Sequence, residues 1–225
     1  MVLDAMPKSK KTINVFLVDR QLIFREGVRS VLSEEGITIL GEAAALSKVL
    51  SLLNALSPSI PDVVLLGVDS TSLTSPRDFN LVRQITVECS PNTPVILLTD
   101  YMGEKQFLRG IKAGVAALLT RDASPSDLLT TIRDVYKNGH SIIKNLFTLP
   151  RVASRILNQF QELFRIETTE IPSPIVADIL GLIALGKNKK QIAYALKLDE
   201  QAIDGYLLSV LHKISSTDPL LTSAA

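Results

Sequence analysis

Between residues 11 and 138, short runs of β-branched and aliphatic residues alternate with stretches whose apolar positions recur every three to four residues. That alternation is the pattern of βαβ units around a parallel sheet. The strand-like runs cover residues 13–18, 37–41, 63–66, 95–99 and 116–119. Five helical stretches accompany them. The first sets Phe24, Val28, Val31 and Leu32 on one face, and the fifth does the same with Leu128, Leu129, Ile132, Val135 and Tyr136, behind Ser124 as N-cap and Pro125 in the first turn. Five such units predict a three-layer α/β sandwich. The pattern leaves the order of the strands in the sheet open.

After His140 the character changes. Residues 150–165 carry Val152, Ile156, Leu157, Phe160, Leu163 and Phe164 at helical spacing, and the polar run 167–170 follows. This reads as a connecting helix and a hinge, its stripe packed either on its own chain or on a partner. Residues 171–225 are helical throughout. Ser173 and Pro174 open a helix with Val176, Ile179, Leu180 and Ile183 on its buried face, ending near Gly186. A short helix over 189–196 follows, and a tight turn at Lys197 and Leu198 leads to Asp199, the N-cap of a last helix striped by Ile203, Leu207, Val210 and Leu211. Two short helices joined this way form a helix-turn-helix signature. The predicted organisation is a flexible N-terminus (1–11), an α/β domain (12–140), a linker helix and hinge (141–170) and a small all-α domain (171–225).

Composition narrows the chemistry. With 24 basic and 23 acidic residues, no global field favours nucleic acid, so such a partner must be met by a local patch. Cys89 is the single cysteine and the two histidines, His140 and His212, lie far apart in sequence, so no disulfide framework and no metal-ligand cluster is expected. The first residues lack an apolar signal core and no apolar run reaches the ~18 residues of a membrane span. The expectation is a cytoplasmic protein without membrane contact or cofactor.

Five stretches, INVFLVDRQLIFREGVRSVL, PDVVLLGVD, TPVILLTDY, GIKAGVAALLTRDASPSDLLTTIRDV and LGKNKKQIAYALKLDEQAIDGYLLSVLHKIS, together resemble a two-domain response regulator of the LuxR-type (NarL/FixJ) class over nearly the whole chain. The resemblance implies a five-stranded, flavodoxin-like (CheY-like) receiver domain followed by a DNA-binding helix-turn-helix. Receivers of this class take a phosphoryl group on an aspartate with the help of Mg²⁺, a hard cation that prefers oxygen ligands. In relatives an acidic pair follows the first strand and the acceptor aspartate follows the third. Here the pair reads Asp19 and Arg20, and the acceptor position is Gly67. Arg121 stands where relatives carry a lysine, and besides Asp19 only Thr99 keeps the expected residue type. Neither metal binding nor phosphorylation is expected at such a pocket.

Asp69 lies two residues beyond Gly67, a displacement of about 6–7 Å along an extended chain, too far to share a metal with Asp19 without a bulge. Its plain reading is a solvated loop aspartate. A guanidinium paired with Asp19, from Arg20 or Arg121, would fill the metal site and fix the pocket; the alternative for each is a surface arginine. In the C-terminal domain Lys187, Asn188, Lys189 and Lys190 are candidates for phosphate contacts, and Gln201, Tyr206, Ser209 and Lys213 for the groove. His212 reads as a surface histidine. Two features oppose DNA. Asp204 places an anion in the recognition helix beside Gly205, which costs that helix about 1 kcal/mol, and residues 171–225 balance five lysines against five acids.

Two functions follow. The first is a transcriptional regulator, a homodimer as the resemblance implies, that binds double-stranded DNA independently of aspartyl phosphorylation. The second is a pseudo-receiver interaction module that has lost DNA binding and docks on a partner regulator or kinase. No nucleophile or phosphate-cradling loop supports an enzyme.

Overall fold

In the computed structural model residues 12–69, 75–87, 93–166 and 174–216 are described. Five parallel strands, β1 (Asn14–Val18), β2 (Thr38–Ala43), β3 (Val63–Val68), β4 (Val95–Thr99) and β5 (Ala117–Thr120), form one sheet in the order β2-β1-β3-β4-β5. The helices between and after them are α1 (Leu22–Glu34), α2 (Val49–Ala55), α3 (Pro76–Val87), α4 (Glu104–Lys112) and α5 (Pro125–Asn138). The expected sandwich and its βα alternation are present. Central strands β1 and β3 are buried on both faces, as helices on both sides of a parallel sheet require.

Strand parity decides which core each residue joins. Val15, Leu17, Val63, Leu65, Ile96 and Leu98 face one side, where they meet Val28 and Leu32 of α1 and Leu129, Ile132 and Val135 of α5. Phe16, Val18, Val64, Leu66, Val95 and Leu97 face the other, against Val49 of α2, Val82 and Ile85 of α3, and Phe107 and Ile111 of α4. Strand β2 runs two residues past its expected end. Gly41 interrupts its apolar pattern for a packing reason: a Cβ there would meet the Phe16 ring at 2.8 Å.

The second core does not stop at the sheet. Helices α6 (Ile142–Thr148) and α7 (Pro150–Ile166) carry it, through Ile143, Leu146, Val152, Ala153 and Ile156, into α8 (Pro174–Ala184), α9 (Lys189–Leu196) and α10 (Glu200–Ser216). Helix α7 packs mainly on α8 and also on α4 and α6, so its described stripe is covered by its own chain. Helix α6 has no counterpart in the sequence reading, because seven residues without a side-chain cap give too little periodicity to see. The proposed hinge (167–170), Ser173, Cys89 and the N-terminal stretch lie outside the described residues, as do the side chains of Phe160, Leu163 and Phe164.

Caps end the helices where the sequence places them. Ser124 accepts a hydrogen bond from the Asp127 amide at 3.1 Å and Pro125 opens α5, while Gly139 closes it in the left-handed region. Asp199 caps α10 by accepting from the Ala202 amide at 2.6 Å. The turn between α9 and α10 is made by Lys197 at φ 54°, a left-handed conformation that a Cβ disfavours. Replacing Lys197 with glycine is expected to raise stability by a few tenths of a kcal/mol to about 1 kcal/mol, strain relief exceeding the added chain entropy. Reversible thermal melting measures it, and an unchanged or lower midpoint contradicts it.

Candidate functional site: the Gly67 pocket and the C-terminal helices

The C-terminal ends of β1, β3, β4 and β5 bring Asp19, Gly67, Thr99 and Arg121 to one edge of the sheet, the place where open α/β folds gather their chemistry. Asp19 is fully buried. Its Oδ1 accepts from the Gln21 amide at 2.7 Å, and its Oδ2 accepts from Arg121 Nε at 2.9 Å. The guanidinium also donates through a second nitrogen to Asp100 Oδ1, and it lies 5.7 Å above the Phe24 ring. Burial works against the charge on Arg121, but the hydrogen bonds and attraction from Asp19 and Asp100 outweigh it and hold the group above its ordinary value.

Gly67 is what makes this arrangement fit. A Cβ built at residue 67 would stand 1.9 Å from Asp19 Oδ2 and 2.7 Å from its carboxyl carbon. The Asp19 carboxylate therefore occupies the space that a side chain on β3 would need. Arg25 supports it from below by donating to the Asp19 carbonyl at 2.7 Å. Thr99, also fully buried, donates from its hydroxyl to the Tyr101 carbonyl at 3.3 Å.

Of the two arginines considered for Asp19, Arg121 takes the role. Arg20 points outward and donates to Asp69 Oδ2 at 2.8 Å, so Asp69 is an ion-paired residue at the rim. Asp100 is a partner the sequence reading missed. Its only signal was its place directly after Thr99, at the end of β4 beside the β5 end that bears Arg121. Among the described residues no cluster of three or more histidine, cysteine, aspartate or glutamate side chains is grouped to hold a metal ion.

In the C-terminal helices the candidates separate. Lys187 and Lys190 are exposed. Asn188 is the N-cap of α9 in a capping box: it accepts from the Gln191 amide at 2.9 Å and its own amide donates to Gln191 Oε1 at 3.1 Å. Lys189 turns toward α10. Its Nζ donates to Asp204 Oδ2 at 2.8 Å and lies 2.6 Å from Oδ1, the second contact a charge approach without hydrogen-bond alignment. Ser209 is exposed and donates to the Tyr206 carbonyl at 2.7 Å, Tyr206 and Lys213 are half-buried, and Gln201 and His212 are exposed.

Helix α10 also meets the sheet domain, packing against α4 and α6. Asp204, Gln201 and Lys189 line a cleft of about 530 Å³ with Asp134, His140 and Lys144. Burial pushes the His140 imidazole below its ordinary pKa, and the nearby Asp204 charge opposes part of that shift.

The sheet domain matches the model of the response regulator receiver domain over residues 15–133, more than half of the chain. The chain belongs to the response regulator receiver family. Its similarity extends through the C-terminal helices: it is 26% identical to the transcriptional regulatory protein YxjL of Bacillus subtilis over 93% of both chains, and 25% identical to the response regulator protein VraR of Staphylococcus epidermidis over 92% of both. Among solved structures, the signal receiver domain of NarL from Mycobacterium tuberculosis aligns with 24% identity, 56% of this chain, 98% of that one and a TM-score of 0.48. The chain is thus a two-domain response regulator, its receiver followed by a C-terminal helical region. Among its described residues no helix is long and apolar enough to cross a membrane.

The receiver pocket yields a direct test. Removing Arg121 leaves the Asp19 carboxylate buried without its cation, a loss that costs about 3–5 kcal/mol at such sites. Arg121→Ala is expected to lose that much in denaturant unfolding, and Asp19→Ala with Arg121→Ala less than the sum of the two single changes. A cost below about 1 kcal/mol for Arg121→Ala would show the pair to be no more than a surface contact.

Proposed function

We propose that this response regulator is a DNA-binding transcriptional regulator whose receiver is set without aspartyl phosphorylation. The observation that carries the reading is the Asp19 carboxylate lying over Gly67 and held there by Arg121. A receiver that accepts phosphate needs a carboxylate nucleophile and oxygen ligands for Mg²⁺. Residue 67 offers no carboxylate. Of the acids that relatives use for the metal, only Asp19 is left, and it is bound to a permanent cation, which repels a second one, so the donor set does not fit Mg²⁺. Control of such a protein comes from contact with a partner or from its abundance.

DNA as the partner of the C-terminal domain is supported by the length-wide similarity to transcriptional regulatory proteins and by the exposed Lys187 and Lys190 at the start of α9. Phosphate neutralisation by such lysines gives affinity that falls with salt. A homodimer would place two such helices on paired half-sites. The second reading, an interaction module without DNA, draws on α1: Ile23 is 88% exposed and joins Phe24, Val31, Leu119 and Leu128 in lining an apolar groove.

Two measurements test the proposal. Incubation with acetyl phosphate and Mg²⁺ is expected to leave the intact mass unchanged, and a phosphoryl adduct on any aspartate would overturn the receiver half of the reading. Duplex DNA is expected to be retarded at low salt, and Lys187→Ala with Lys190→Ala to flatten the slope of log affinity against log salt by about 0.9 for each phosphate contact removed. Failure to bind any duplex at low ionic strength would leave the interaction module in its place.

A further inference from the structure

Three lysines cluster at the start of the helix-turn-helix, and only two of them face solvent. Lys189, on the first turn of α9, is held by Asp204 fifteen residues later on α10: its ammonium donates to Oδ2 and lies in ion-pair range of Oδ1. Its ammonium also lies 5.8 Å over the ring of Phe147, which belongs to α6 on the far side of the junction. Both partners are about two-thirds buried, with side-chain exposures of 26% and 33%. Lys189 is thus enclosed by an anion from the recognition helix and by an aromatic face from α6.

A carboxylate with two oxygens around an ammonium offers Lys189 what a DNA phosphate would offer: charge and hydrogen-bond acceptors at the same distance. Resting on the reading of the C-terminal domain as a DNA-binding module, we propose that Asp204 is an internal stand-in for a backbone phosphate. It keeps Lys189 in reserve, so that the resting protein meets DNA with Lys187 and Lys190 and without the third cation. The stored lysine is released only when Asp204 turns away, and the Phe147 contact ties that release to separation of α9 from α6. An acid in the recognition helix then sets the strength of DNA binding through a lysine, in addition to any direct repulsion of phosphate.

Direct repulsion and lysine storage make different predictions, and a double-mutant cycle separates them. Binding of a random-sequence duplex is measured by fluorescence anisotropy for the full-length wild type, Lys189→Ala, Asp204→Asn and the double variant, across a salt series. Storage predicts that Lys189→Ala changes affinity less than about twofold in the wild-type background. It predicts that Asp204→Asn tightens binding at least about fivefold and steepens the salt slope by about 0.9, and that Lys189→Ala in the Asp204→Asn background removes that added slope. If Lys189→Ala costs the same factor in both backgrounds, Asp204 acts by repulsion alone and the proposal falls.

A second measurement needs no DNA. Acetylation by N-hydroxysuccinimidyl acetate, followed by peptide mass spectrometry, is expected to modify Lys189 more slowly than Lys187 and Lys190 in the wild type and at a similar rate in Asp204→Asn. Equal rates for all three lysines in the wild type would dismiss the pairing itself. Protection of Lys189 together with absence of duplex binding by all four proteins would instead dismiss the DNA reading on which the proposal rests, and the phosphate role with it.

Discussion

The buried ion pair between Asp19 and Arg121 is the constraint on which the receiver pocket depends. Asp19 is fully buried just past the end of β1, so its charge must be matched within the protein. The guanidinium does this through Nε while a second of its nitrogens reaches Asp100. The pair exists only because Gly67 leaves room for the carboxylate. Gly67, Asp19 and Arg121 are therefore one unit distributed over three strands, and any change at one alters the fit of the other two. The Asp19–Arg121 and Arg121–Asp100 hydrogen bonds tie together the ends of β1, β4 and β5.

The same economy appears at the junction of the two halves. The core below the sheet continues through Ile143, Leu146, Val152 and Ile156 to Ile179, Ile183, Ile203 and Leu207, so the C-terminal helices are anchored on apolar contacts. Polar groups gather at the rim of this junction. Lys144 pairs with Asp134, Lys189 with Asp204, and His140 loses proton affinity to burial there. Apolar burial fixes position, and the rim pairs decide which charges face solvent.

Much of the fold was legible because its signals are local. The period-2 runs and the helical stripes gave all five strands to within two residues, and Ser124, Pro125 and Asp199 marked helix starts through chemistry that needs no tertiary context. The strand order, the short α6 and the covering of α7 depend on contacts between distant segments, which no local pattern carries. In the pocket, Gly67 and Arg121 could be read as departures from a family pattern, but the direction of the Asp19 carboxylate required the geometry of three strands. Asn188 carries a local signal as well. Considered above for a phosphate contact, it also has the spacing to Gln191 that spells a capping box, which the structure forms.

The neutral balance of the C-terminal domain also changes meaning once its charges are placed. Counting five lysines against five acids treats each charge as equally exposed to a partner. Asp199 spends its carboxylate on the first turn of α10, and Asp204 and Lys189 cancel one another at half-buried positions. What remains near the start of α9 is the exposed pair Lys187 and Lys190 beside an N-cap whose side chain is already bonded. At physiological ionic strength fields beyond about 8 Å are screened, so a phosphate approaching α9 senses that local excess of positive charge and little of the domain's sum. Overall neutrality is therefore compatible with a basic contact surface, and the distribution of ion pairs, not the count of acids, determines where such a surface can form.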